Sequence, residues 1–469
     1  MTRLFALALF AVLAAPARGQ TCEQGGCPTL TLEQTLALVA ERHPEARAAD
    51  LERDLGAARL LGARGGFDPL LTTGLTAKTD DLDTKLGLWQ TALSLPIDAP
   101  FSPSIDVNHR LGVGLSVNPA DRAGDAGETR VGVSVSPLAG RGTDRRRTSL
   151  AQARLAPEAA GAAAAQRRNA LLLAAARAYW TWAGAVAVVG VRDSLLDVAR
   201  TRADFVARRV RAGETPPVDS LEARLTVVQR EGDRVAALRR AEEAGVVLAT
   251  YLWEADGAPA RLRAAPAALP APGRPPPAAV DPGALRSAVA LALDRRPEIT
   301  RARLASETAR LEVRFAREQT RPDLRIGVQA VSYGDAPAAF GDVYVGVQLR
   351  QPLWARPARA AAETARVDAE RRSLEQAVAV RAVEADVEGA VVALRRAAER
   401  DALAAEQARL ARALRRAEVR RFELGEGTLF LVNQRETALA EAQLREAEAR
   451  ADLLQAEAAF AWATGTLGD

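Results

Sequence analysis

Residues 32–74 and 285–327 align without a gap over 43 positions, at a constant offset of 253. At that offset Pro44-Glu45 meets Pro297-Glu298, Pro69 meets Pro322, Leu71 meets Leu324 and Gly74 meets Gly327. Further along, Ser136-Pro137-Leu138 recurs as Gln351-Pro352-Leu353, and Ala212-Gly213-Glu214 as Leu424-Gly425-Glu426. A repeat this long means two copies of one structural unit, neither able to bury its surface alone. The expected organisation is a first repeat over residues 20–265, a Pro-rich linker over 266–282 and a second repeat over 283–469.

Residues 1–19 read as a secretory signal peptide: Arg3, an apolar stretch over 4–15, then small residues at Ala17 and Gly19, with cleavage before Gln20. That apolar stretch is too short for a permanent membrane span, so an exported chain is expected. Cys22 and Cys27 are the only cysteines. One reading is a local structural disulfide in an oxidising compartment. The other is a lipid-anchored Cys22, although Gly19-Gln20-Thr21 lacks the apolar and small residues usual before such a cysteine.

Net charge is +4, with both signs interleaved. The basic cluster Arg141, Arg145, Arg146 and Arg147 predicts a solvated or lipid-headgroup-facing patch rather than a nucleic-acid site. The two histidines, His43 and His109, are too far apart in sequence for a metal cluster of ordinary spacing. There is no glycine-rich phosphate loop and no nucleophile motif. The chain does not read as an enzyme, and no metal or cofactor is expected.

Both halves share one order: helix, strands, very long helix, tight turn, return helix. The first helical stretch, 32–64, is amphipathic and interrupted at His43-Pro44. Residues 148–211 and 357–422 are rich in Ala, Leu, Arg and Glu, and predict helices of roughly 96 Å at 1.5 Å per residue. Gly213 and Gly425 suit the left-handed position after a helix, Thr215 with Pro216 reads as N-cap and N1, and return helices follow over 216–253 and 428–462. Small residues along these helices permit close approach and coiled-coil-like packing. Residues 171–191 carry one charge, Arg177, and are long enough to span a bilayer. The counterpart, 386–406, is heavily charged, so a buried helix–helix seam is expected instead.

Between 67 and 138 the period changes to two: Leu70-Thr72-Gly74, Leu86-Leu88, Leu111-Val113-Leu115-Val117 and Val131-Val133-Val135. In the second half Leu324-Ile326-Val328-Ala330 and Val343-Val345-Val347-Leu349 do the same. Such alternation is the mark of an outer-membrane β-barrel, apolar outward and polar inward. Trp89, Tyr333, Tyr344 and Trp354 lie at or near strand ends, where an aromatic girdle is expected; in a water-soluble sandwich they would be core.

The start Leu30-Thr31-Leu32-Glu33-Gln34-Thr35-Leu36-Ala37-Leu38, the following Arg42-His43-Pro44-Glu45, the two strand exits and the repeated glycine turns together resemble the TolC family of outer-membrane efflux and secretion channels. The resemblance covers essentially the whole mature chain. It implies an α+β membrane protein: a homotrimer whose strands close one β-barrel in a Gram-negative-type outer membrane. Long helices would continue that barrel as a tunnel through the periplasm. It also implies four strands per protomer. Yet the first copy holds 38 more residues than the second between the matched prolines, including a hairpin-like pair over 86–95 and 105–117. Either the strands extend beyond the membrane, or the count is six.

The same resemblance places the gate and the docking surface for a periplasmic adaptor protein at the helical tips. Gly213 and Gly425 match the tip turns, and Asp219 matches a tip aspartate. Asp219 reads equally as a solvated acid favoured by the helix dipole. Leu431 and Gln434 stand where the family's best-known member has paired aspartates, so a carboxylate ring is not expected. The expected function is a passive exit duct for small molecules or proteins, serving an inner-membrane pump through the adaptor, with outer-membrane lipid but no nucleic acid as partner. The rivals are a periplasmic adaptor, which lacks full-length duplication, and a structural coiled-coil rod, which has no need of alternating strands.

Overall fold

The computed structural model describes residues 29–80, 83–114, 127–262, 264–270, 282–333, 341–424 and 426–468. The signal peptide, Cys22, Cys27, Leu115, Val117, residues 271–281 of the linker and Gly425 lie outside the described residues.

The chain opens with β1 (Thr29–Leu30) and α1 (Leu32–Arg42), whose N-cap Thr31 forms a capping box with Gln34. His43 ends α1, and Pro44 begins α2 (Pro44–Arg64), because proline at N1 costs no hydrogen bond. Four strands follow: β2 (Leu70–Asp80), β3 (Asp83–Pro96), β4 (Ser104–Gly114) and β5 (Glu128–Val135). Then come α3 (Arg145–Arg211), the return helix α4 (Pro217–Ala249), and β6 (Ala265–Pro266), which pairs in parallel with β1. The second copy runs α5 (Pro282–Arg295), α6 (Pro297–Glu318), β7 (Asp323–Tyr333), β8 (Asp342–Arg350), α7 (Arg356–Glu423) and α8 (Leu429–Ala463). At 67 and 68 residues, α3 and α7 are each about 100 Å long.

The six long strands form one antiparallel meander, β2-β3-β4-β5-β7-β8. Among the described residues this sheet has six strands rather than four. The offset of 253 superimposes β2 on β7, and the strand exits superimpose β5 on β8, so the β3–β4 hairpin is the insertion. Its register is continuous from Leu86↔Gly114 to Pro96↔Ser104.

Four helices stand side by side at each level below the sheet. Near it the order is α2-α3-α6-α7; toward the far tips it is α4-α3-α8-α7. The handover falls halfway along α3 and α7, and there the bulky core sits. Leu171, Leu172, Tyr179, Trp180 and Trp182 of α3 pack with Val39, Leu248, Leu252 and Leu454. Tyr179 also donates its hydroxyl to the Leu30 carbonyl (2.8 Å). The apolar stretch of α3 is therefore core, as its charged counterpart in α7 implied. A smaller core, Ala292, Val383, Val387 and Ala463, occupies the matching place in the second copy.

Away from mid-length the buried residues are mostly alanine, so the helices approach closely and their flanks are tied by charge. At Gly184 an added Cβ would lie 2.7 Å from the Ala451 Cβ, so α3 and α8 are in close contact there. Arg192–Asp233 (2.7 Å) and Arg200–Glu231 (2.8 Å) lace α3 to α4, while Arg412–Glu446 (2.6 Å) and the buried Arg450–Asp401 (2.8 Å) lace α7 to α8.

Candidate functional site

The two faces of the sheet differ in chemistry. One row of directly opposed residues across all six strands reads Leu71, Leu93, Val107, Val131, Ala330, Val343. A second row on that face holds Leu95, Ile105, Val133, Val328 and Val345. The apolar side chains face outward: Leu75 is 76% exposed and Val343 72%. A row on the opposite face reads Leu70, Ser94, Asp106, Gly132, Gln329, Tyr344. A face this apolar is unstable against water over six strands and suits lipid; its polar reverse suits an aqueous lumen.

The polar face is internally bonded. Asp106 accepts from the hydroxyls of Ser94 (2.7 Å), Ser104 (2.8 Å) and Ser134 (3.3 Å), which stitches β3, β4 and β5 together. Arg130 pairs with Glu128 and lies over the Tyr344 ring, 5.4 Å from its centre.

These rows revise two expectations. Leu70 and Leu88 belong to the polar face, so the apolar phase of β2 and β3 is carried by Leu71, Leu75, Trp89, Leu93 and Leu95. Of the aromatics expected in a girdle, Tyr333 and Tyr344 lie on the polar face, opposite Glu128 and Gln329. Trp89 is on the apolar face between Leu75 and Leu111. Trp354 lies outside the strands, 70% exposed, in the link from β8 to α7.

At the junction of sheet and helices the backbone is bent hard. Phe101 and Ser102, in the β3–β4 turn, and Ala355, at the start of α7, have positive φ (70°, 49° and 47°). Each costs roughly 1–2 kcal/mol in a residue bearing a Cβ. The turn is held against α3: Phe101 N–H donates to Gly140 O (2.9 Å), Ser136 N–H to Phe101 O (2.7 Å), and Ser102 Oγ to Asp144 (2.7 Å). Asp144 in turn caps α3 through the Arg147 N–H (3.0 Å).

At the far end each hairpin turns tightly. Gly213 has φ +75°; its N–H bonds Val210 O, and Glu214 N–H bonds Arg209 O, both at 3.0 Å, the Schellman pattern. The second tip repeats the wider bond, Glu426 N–H to Arg421 O (2.9 Å), around the undescribed Gly425. Pro216, not Thr215, is the N-cap of α4, with Pro217 at N1. Thr428 caps α8 through Leu431 N–H (3.4 Å).

Asp219 sits in the first turn of α4, in a small cleft with Ala199, Arg202, Glu222 and Asn433. Leu431 is half-buried and Gln434 exposed on α8. The residues that tie the two hairpins together are others. Arg202 of α3 bonds Asn433 and pairs with Glu436 of α8, and Glu436 also lies 3.6 Å from Arg415 of α7. Arg202 and Glu436 are 15% and 13% exposed. No signal in the sequence distinguishes them, because arginine and glutamate recur throughout these helices.

Midway along, His43 and Arg296 occupy equivalent places in the two copies. His43 accepts the Glu45 N–H at Nδ1 (3.1 Å) and is flanked by Tyr251 and Trp253. Burial holds its pKa below the usual value, against the raising pull of Glu45 and of a backbone hydrogen bond to Thr250. Arg296 is 4% exposed, lies 4.0 Å from the Trp462 ring centre and bonds Glu298 (3.0 Å) and Asp386 (3.1 Å).

Residues 288–466, within the second copy, match the family model for outer membrane efflux proteins. The match lies wholly in the second copy and leaves the first copy outside it. Solved structures extend the likeness to the whole fold. The outer-membrane channel OprN matches with a TM-score of 0.66 at 18% identity, over 92% of this chain and 89% of that one. The Campylobacter jejuni channel CmeC matches at 0.65 and 12% identity, over 93% and 85%. The Vibrio cholerae outer membrane protein VceC matches at 0.64 and 14%, over 93% and 97%. No curated protein sequence matches the chain. The fold class expected from the sequence, an internally duplicated α+β protein with a barrel sheet above long helices, is the fold of these channels.

Proposed function

We propose that three copies of this chain close into one duct that crosses the outer membrane and the periplasm, through which cargo leaves passively. The observation that carries this reading is where the unpaired surface lies. The helical and strand layers of a single protomer end in the same two edges from top to bottom. One edge is β2, α2 and α4; the other is β8 and α7. Exposed large apolar residues concentrate there: Leu51, Leu55 and Leu61 on α2, and Val367, Leu374, Leu403, Leu410 and Leu414 on α7. On α4 the exposed Val218, Leu221, Leu225, Val228 and Val235 follow a heptad spacing, an unpartnered coiled-coil seam. The central helix α6 shows no exposed large apolar residue. Lipid offers no partner to an open strand edge, so β2 and β8 must also be paired. A neighbouring copy satisfies all these edges at once. A periplasmic rod leaves the apolar face of the sheet unexplained.

In this reading the polar face of the sheet lines the lumen, and Trp89 and Trp354 contact the membrane. The tips at Gly213 and Gly425 form the periplasmic gate and the adaptor-docking surface, beneath which an inner-membrane pump supplies the cargo. With Leu431 and Gln434 on α8, Asp219 is the remaining matched acid, one per chain. The test is purification in detergent followed by planar-bilayer recording. A heat-modifiable trimer forming channels, with weak block by trivalent cations that falls further in Asp219→Asn, is expected. A monomer without conductance defeats the reading. Strong block surviving Asp219→Asn assigns the acid ring elsewhere, for instance to Glu214 or Glu426.

A further inference from the structure

We propose that the outer-membrane end of the duct is an eighteen-stranded barrel as wide as the helical tunnel below it, so that the lumen does not narrow at the membrane and bulky cargo meets its only sieve at the periplasmic tips. The inference rests on the trimeric reading above. Its own ground is the inserted β3–β4 hairpin and the perimeter that six strands give.

The hairpin is part of the wall, not a flap on it. It lies inside the sheet order, flanked on both sides by paired strands. It extends both the apolar face, through Leu93, Leu95, Ile105 and Val107, and the polar face, through Ser94, Asp106 and Asn108. The Asp106 carboxylate binds it to β5 across the polar face. Its turn is hydrogen-bonded into the start of α3 through Phe101 and Ser102, both held at positive φ. Removing it would leave the four strands that the resemblance implied.

The perimeters can be compared. Strands about 4.8 Å apart and tilted about 40° each occupy about 6 Å of barrel circumference. Eighteen therefore span ~110 Å and twelve only ~75 Å, or backbone radii of ~18 Å and ~12 Å. Four helices per protomer at each level give twelve in the tunnel, and at about 9 Å spacing these span ~110 Å. The two perimeters agree for six strands per chain and disagree for four. The extra hairpin thus removes the step that a smaller barrel would place on this tunnel.

Cysteine cross-linking of the full-length protein, with Cys22 and Cys27 replaced by serine, tests this. One set of pairs joins polar-face positions of the edge strands, Thr72, Gly74 or Thr76 in β2 with Gly346 or Gln348 in β8. A second set joins α4 to α7, Leu225 with Leu403, Leu410 or Leu414, and reports on the trimer independently. The expected result is covalent trimer from both sets. It should be accompanied by entry of neutral polymers of ~10 Å radius from the outer face, which a twelve-strand lumen lined by side chains excludes. Cross-links from α4 to α7 without any from β2 to β8, or with β8 joined to β4, overturn the eighteen-strand barrel and leave the trimer standing. Loss of both sets overturns the trimer itself. Polymer exclusion despite β2–β8 cross-links overturns the claim that the mouth is unsieved.

Discussion

The Arg202–Glu436–Arg415 contact is the place where a single side chain should govern opening. It joins α3 of one hairpin to α8 and α7 of the other, close to the tips, so any motion that parts the hairpins must break it. Exposed ion pairs contribute about 0–1 kcal/mol, and removing one partner of a buried pair costs about 3–5 kcal/mol. Arg202 and Glu436 are 15% and 13% exposed, between those limits but nearer the second. Glu436→Gln keeps the shape and one hydrogen bond to Arg202, so about 1–2 kcal/mol per protomer is the expected loss. If three protomers open together the closed state loses about 3–6 kcal/mol, a shift in the open-to-closed ratio of about 10²–10⁴ at 1.4 kcal/mol per decade. Resting conductance in planar bilayers should therefore rise steeply in Glu436→Gln. Arg415→Gln should do less, since Arg415 is 33% exposed and its contact is 3.6 Å. Arg202→Gln combined with Glu436→Gln should add little to either alone, which identifies a coupled pair. An intact Glu436→Gln trimer whose conductance stays within about two-fold of the parent refutes the reasoning, because a change of even 1 kcal/mol would exceed that.

Val345→Lys, on the lipid face, should cost about 2–4 kcal/mol and abolish heat-modifiable trimer in membranes, whereas Gln348→Lys, on the polar face, should leave assembly intact and alter only ion selectivity. Gly184→Val should force α3 and α8 apart, at about 1–3 kcal/mol, read as a lower melting temperature by circular dichroism. Because His43 is held neutral by burial, the unfolded chain takes up a proton near the ordinary value of 6.5 before the folded one does. Its contribution is complete above that pH and is lost as pH falls toward its lowered folded value. Denaturant midpoints should drop over that interval in the parent and less in His43→Gln.

Two kinds of information were legible in the chain. Local periodicity and punctuation placed α1, α2, α3 and α7 to within about three residues, because a helix start or stop depends on neighbours such as Thr31, Pro44 and Gly213. The duplication makes His43 and Arg296 equivalent through the 253-residue offset alone. The alternation in β4, β5, β7 and β8 also identified the apolar face correctly.

Pairing decided the rest. Alternation defines two faces but does not say which one meets lipid, and that choice comes from the strand opposite. Leu70 and Leu88 look like lipid contacts until Ser94, Asp106 and Gln329 appear on the same face, which also carries Tyr333 and Tyr344. The six-strand count was an open alternative in the sequence, because 38 extra residues can lengthen strands or add them, and only the β3–β4 register separates the two. The tie between Arg202 and Asn433 joins residues 231 positions apart. In helices where a charge stands every few residues, no local pattern marks the few that meet across a helix–helix contact. Their burial and pairing are properties of the packed structure, created when two hairpins, each ordinary on its own, are laid side by side.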